Sequence, residues 1–185
     1  MGAGACSCPK LRLEEWRDRE VTLAGHAFLA RPTPLFLHLP HRLYRDLGEL
    51  QAAMDGVRCR AVNAPMVMHR DGWFAGEVLV SVEPPAEGAP GVRTFQNLFY
   101  SRVVGSPGFD AALRAMPRFY RDLRAAQVGP IGAMYFWYIN CPSCLIGRGA
   151  GQVILMACSD RLLVGEEASS AAAPCVRGRF VPCGA

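Results

Sequence analysis

The chain has 185 residues, of which 51% are hydrophobic and 19% charged, with a formal charge of +4, so it is long enough to bury a core as one ordinary globular domain. Its charge is scattered arginine with Lys10 as the sole lysine and no basic run, which excludes a clustered basic platform for nucleic acid. No uninterrupted apolar run reaches the roughly 20 residues of a membrane span and no signal-peptide layout opens the chain, so a cytoplasmic location is expected.

In chain order, residues 1–15 are small, polar and unpatterned and read as a disordered leader. Gly2 suits an N-myristoylation start, but Cys6 stands where that signal needs Ser or Thr. Glu20 to Leu29 is strand-like, and Pro32, Pro34 and Pro40 then break the chain before a helix from His41 to Met54. Leu43, Leu47, Leu50 and Met54 recur there at helical spacing and form one apolar stripe. Asp55-Gly56 ends the helix. Strands from Arg60 to His69 and from Glu77 to Val82 follow, joined by an Asp71-Gly72 turn.

Pro84, Pro85 and Pro90 mark a linker, after which the order starts again. Val92 to Val104 is strand-like, Ser106-Pro107 offers a cap with Pro at the first helical position, and Phe109 to Val128 is helical. Leu113, Met116, Tyr120 and Leu123 share its apolar face, and Pro117 is expected to kink or split it. Met134 to Asn140 and Gln152 to Cys158 are the closing strands, and residues 163–185 read as a flexible tail. The fold class is therefore α+β: strand-helix-strand-strand repeated, with copies at about 19–84 and 91–160 inside a domain spanning 16–162. Their strands would join into one antiparallel sheet, a distorted barrel with both helices on one face, leaving a ligand cleft where the copies meet.

Three stretches carry a family resemblance. Tyr135, Tyr138, Asn140, Pro142, Arg148, Val153 and Leu155 stand at or near the places of a closing tyrosine-rich strand, loop and strand. Val62-Asn63-Ala64-Pro65-Met66 matches a second strand, and Glu20, Val21, Gly25 and Ala27 match a first. With the duplicated order, they make the chain resemble the SOUL/heme-binding protein family, whose fold is shared with GyrI-like effector-binding domains. Leu23-Ala24 occupies the place where some members carry His-Tyr, so no axial histidine carries over.

The resemblance implies a non-enzymatic protein that holds heme or another tetrapyrrole non-covalently, for buffering or transfer, in an apolar groove beside the first helix. A flat ring needs apolar walls and its propionates need arginine at the rim. Leu43, Leu47, Leu50 and Met54 would supply the walls, Arg42 and Arg45 the rim, and His41 stands at the mouth. The plainer reading is an amphipathic helix packed on its sheet with solvated arginines. His26, His38 and His69 are further imidazoles, and Met54, Met66 and Met68 are soft ligands or core fillers.

Of eight cysteines, Cys141-x-x-Cys144 could be a redox pair or half a zinc site. No second Cys-x-x-Cys or histidine pair accompanies it, and Cys175 and Cys183 fall in the tail, so it reads as a loop at a strand end with no metal expected. The runner-up reading is a GyrI-like small-molecule binder, or a hydrolase, using the cleft between the repeats. It would draw on Glu77 or Glu83 as acid and on Tyr100, Tyr135 or Tyr138 as donors. No nucleophile triad, phosphate-binding loop or dinucleotide fingerprint is present. A small flat apolar ligand is the expected partner; an interaction module without ligand is a third class, and the oligomeric state is left open.

Overall fold

The computed structural model describes residues 8, 10–56, 65–83, 91–149, 151–162 and 175–179. The expected linker prolines at 84, 85 and 90, and Val62 to Ala64 of the second family match, lie outside them. A 3-10 turn at Leu13–Trp16 leads into β1 (Arg19–Thr22), β2 (Ala27–Pro34), α1 (Leu43–Gly56), β3 (Val67–Arg70) and β4 (Ala75–Val82). Then come β5 (Val92–Thr94), β6 (Asn97–Val103), α2 (Phe109–Ala125), β7 (Ile131–Tyr138), α3 (Pro142–Arg148), β8 (Val153–Leu162) and β9 (Cys175–Arg179).

All the described strands pair antiparallel in one sheet of order β5-β2-β4-β3-β7-β8-β6-β1-β9. Its central six, β2-β4-β3-β7-β8-β6, map onto themselves when β2 is exchanged with β6, β4 with β8 and β3 with β7. The expected strand-helix-strand-strand duplication is thus present as β2-α1-β3-β4 and β6-α2-β7-β8, and the two copies meet at the β3–β7 pair.

The sheet curls strongly. β2 and β6 are five places apart, roughly 24 Å in a flat sheet, yet Phe95 touches Phe28 of β2 at 5.4 Å and Phe99 of β6 at 5.3 Å between ring centroids. Strand alternation then makes two cores. The concave one holds Val21, Phe28, Leu79, Phe99, Trp137 and Met156 with Trp16 packed on Trp137. The convex one holds Val80, Tyr100, Phe136, Tyr138 and Leu155 under Leu47 and Leu50 of α1, Phe119 and Leu123 of α2, and Leu145 of α3.

Several local expectations are corrected. The stretch Glu20 to Leu29 is two strands, because Gly25 adopts a left-handed φ of 81° and turns the chain. Pro32 and Pro34 do not break the chain there; they lie within β2, beyond its pairing with the edge strand β5. Val92 to Val104 is likewise split, since Phe95 leaves the strand line to fill the barrel. Helix α2 starts after Gly108 rather than at the Ser106-Pro107 cap, and it runs through Pro117 without splitting. The Asp71-Gly72 turn stands as read: a Cβ on Gly72 would collide with the Ala75 carbonyl oxygen. Cys141-Pro142-Ser143-Cys144 is no simple loop, because Pro142 opens the short helix α3. Within the expected flexible tail, β9 pairs with β1.

Candidate functional site

A cavity of about 340 Å³ opens on the convex face, where the N-terminal ends of α1 and α2 come together over β7. Leu39, Pro40, His41, Leu43 and Tyr44 line it from the first repeat, and Phe109, Asp110 and Tyr138 from the second. This is the meeting place of the copies expected from the duplicated pattern. The walls are largely apolar, with an imidazole, a carboxylate and two phenols as the polar groups, a composition suited to a small ligand oriented by few contacts.

Under the cavity lies a buried polar pair. β3 and β7 set His69 opposite Phe136 and Val67 opposite Tyr138, which puts the His69 and Tyr138 side chains on the same face. The Tyr138 hydroxyl and His69 Nδ1 are 2.8 Å apart. The imidazole stacks on Phe136 at 4.6 Å and 10° and contacts Phe109 at 5.5 Å, so an aromatic box encloses it. Burial pushes the His69 pKa down to about 3, with the His38 backbone carbonyl working against it and the His38 charge adding to it. Burial raises the Tyr138 phenol well above its ordinary range, with Tyr44 adding to the effect. Both groups are therefore neutral at ordinary pH, and their hydrogen bond is between uncharged partners. His69 Nε2 has no hydrogen-bond partner of good geometry among the described residues.

Beside the cavity, His38 Nδ1 lies 2.7 Å from Asp71 Oδ1. Burial raises the Asp71 carboxyl, against the lowering effect of that hydrogen bond. His38 and Leu37 both take positive φ, 73° and 48°, in the tight bend that carries the chain from β2 to the cavity wall.

The residues expected at an apolar groove separate on folding. His41 and Leu43 line the cavity. Leu47 and Leu50 are sealed in the convex core between α1 and the sheet, and Met54 packs on the edge of that core. Arg45 is exposed and pairs with Glu49 at 2.7 Å, and Arg42 is half-buried in the turn just before the helix. Glu77, one of the acids considered for hydrolysis, lies on the opposite face of the sheet, held by Arg93 at 2.6 Å and Arg70 at 3.9 Å. Tyr135 is also on that face, and Tyr100 is buried in the convex core. Asp110, Phe109 and Tyr44 were not singled out in the sequence. The one available signal was positional, since each stands in the first turns of a helix that the duplication places at the cleft.

The comparisons with known proteins decide the family. A family model described as "Bacterial hydrolase" matches residues 3–158. The chain belongs to this bacterial hydrolase family. No curated protein and no solved structure matches it. Membership overturns the SOUL/heme-binding assignment, and with it heme and tetrapyrrole binding and the expectation that the protein is not an enzyme. The resemblance rested on short motifs within tyrosine- and valine-rich strands, a composition that buried strands of unrelated families share. The α+β duplicated fold stands independently of that assignment. As for membranes, no helix among the described residues is long and apolar enough to cross one.

Proposed function

We propose that this protein hydrolyses a small, mostly apolar substrate, such as an ester, in the cavity between the repeats. The observation that carries this reading is the Tyr138–His69 pair buried beneath a cavity whose mouth holds Asp110 and His41. Family membership supports hydrolysis, and the apolar lining supports a substrate with few polar groups. With His69 as the Nδ1–H tautomer, the imidazole donates to the Tyr138 oxygen and leaves the phenol proton for the cavity.

In the proposed reaction, Asp110 accepts a proton from water as that water attacks the carbonyl carbon. Tyr138 donates a hydrogen bond to the oxygen that gains negative charge, where a desolvated donor counts most. When the carbonyl reforms, the bond to the leaving alkoxide breaks and the proton held by Asp110 passes to it, which returns Asp110 to its starting state. Neutral Tyr138 and His69 suit this role, because a donor that keeps its proton does not compete with the water as a nucleophile.

A panel of p-nitrophenyl esters of increasing acyl length tests the reading with wild type, Asp110→Asn and Tyr138→Phe. Hydrolysis above background that falls roughly 100-fold or more in Asp110→Asn, with circular dichroism unchanged, is expected. Turnover that neither substitution alters would overturn the assignment of the cavity.

A further inference from the structure

Away from the cavity contents, three sulfurs converge. Cys8 belongs to the chain's opening stretch, Cys141 caps the start of α3 and Cys144 lies in its first turn. Their Sγ atoms all lie within 4.8 Å of one another. Cys141 is buried, and Cys8 and Cys144 are half-buried. The Cys141 backbone N–H donates to Cys8 Sγ at 3.2 Å across 133 positions of sequence. The missing partner for Cys141-x-x-Cys144 is therefore supplied from the far end of the chain, which is why spacing alone did not reveal it.

We propose that Cys8, Cys141 and Cys144 bind one zinc ion. Tetrahedral zinc with Zn–S bonds of about 2.3 Å sets its sulfurs roughly 3.8 Å apart, so the three thiols need to close by only about 1 Å at most. Among the described residues the cluster contains no carboxylate. An all-sulfur set selects a soft or borderline cation over calcium or magnesium. The amide donating to Cys8 Sγ favours the thiolate that binding requires. Each thiol that coordinates releases its proton, so loading of all three releases three protons per ion at most. A fourth position falls to water.

The ion's place in the fold gives it a structural role. Cys141 follows Tyr138 by three residues, and Leu145 of α3 is buried in the convex core beside α1. A bridged Cys8 would tie the chain's opening to the end of β7 and steady the wall that carries Tyr138. Hydrolysis itself takes no step through the ion.

The test uses the full chain, purified under reducing conditions, stripped with a chelator and titrated with zinc or cobalt alone. One equivalent of bound zinc, an intense thiolate-to-cobalt charge-transfer band with tetrahedral visible bands, and a higher unfolding temperature with zinc are expected. Cys8→Ser, Cys141→Ser and Cys144→Ser should each weaken binding at least 10-fold, and Cys158→Ala should not. If a Cys8→Ser variant folds poorly, the cobalt spectrum and the zinc-dependent unfolding temperature of the wild type decide. A wild type that binds no more zinc than the triple serine variant, or that carries a Cys141–Cys144 disulfide after reduction and gentle purification, overturns the proposal. None of these readouts depends on ester turnover, so the zinc site and the hydrolytic cavity can fail separately.

Discussion

The Tyr138 hydroxyl sits 2.8 Å from Nδ1 of His69, and the same burial that forbids the phenolate forbids the imidazolium. This pair has a consequence for stability. An unfolded His69 titrates near its ordinary 6.5, whereas the folded one titrates near 3. Between those values the unfolded chain binds the extra proton, so stability is complete above about pH 6.5 and is lost as pH falls toward 3. The full linkage is on the order of 5 kcal/mol. Urea melts at stepped pH should show this acid-side loss, and His69→Asn, which keeps a polar partner for Tyr138 but does not titrate, should flatten it. A wild-type melt independent of pH over that window would mean that His69 is solvated.

Removing the phenol oxygen with Tyr138→Phe leaves His69 buried with neither ring nitrogen properly paired among the described residues. That should cost about 1–3 kcal/mol in urea unfolding. If Tyr138 also stabilises developing charge, ester turnover should fall by about 10- to 1,000-fold in kcat with KM little changed. Loss of stability without loss of kcat would assign the pair to structure alone.

Asp46 of α1 is buried, accepts a hydrogen bond from the Thr33 hydroxyl and lies 3.7 Å from Arg31. This ties the helix to β2. Thr33→Val preserves shape but removes the donor to a buried carboxylate, and should destabilise the protein by roughly 1–3 kcal/mol. Chemical denaturation measures it, and a change below about 0.5 kcal/mol would show that Asp46 is adequately held by Arg31.

Arg102 of β6 bridges Asp18 at 2.6 Å and Asp122 of α2 at 2.5 Å, with its guanidinium 4.9 Å above the Phe119 ring. The arginine side chain is largely buried while both carboxylates are partly exposed, so the pair energies are moderated by solvent. Arg102→Met should cost about 2 kcal/mol. Arg102→Lys should recover only part of it, because one ammonium lacks the planar fork that serves two carboxylates.

Much of the fold was legible because its signals are local. The spacing of Leu43, Leu47 and Leu50 marked α1, the Asp71-Gly72 turn marked the β3–β4 hairpin, and the repeated order marked the duplication and the cleft. The breaks at Gly25 and Phe95 were not legible, because residues on both sides favour strand and the reason to turn is a barrel interior built from distant strands. The site divided in the same way. His41 and Leu43, named for a different ligand, stand at the head of a recognisable helix and line the cavity, while Asp110 and Phe109 were not singled out because their neighbours at the cavity lie about 65 residues earlier in the chain. An apolar stripe declares that a face is buried but not what covers it, so Leu47 and Leu50 read equally well as groove or as core.

By itself, then, the sequence determined the order of strands and helices, their apolar faces and the doubling of the unit, all of which follow from periods of two and 3.6 residues along a short stretch. Only the tertiary structure decided that Leu47 and Leu50 belong to the core, that His69 is buried against Tyr138, and that Cys8 meets Cys141 and Cys144. Those contacts join residues brought together by strand pairing and the curl of the sheet, and no local pattern encodes which distant partner a side chain will meet.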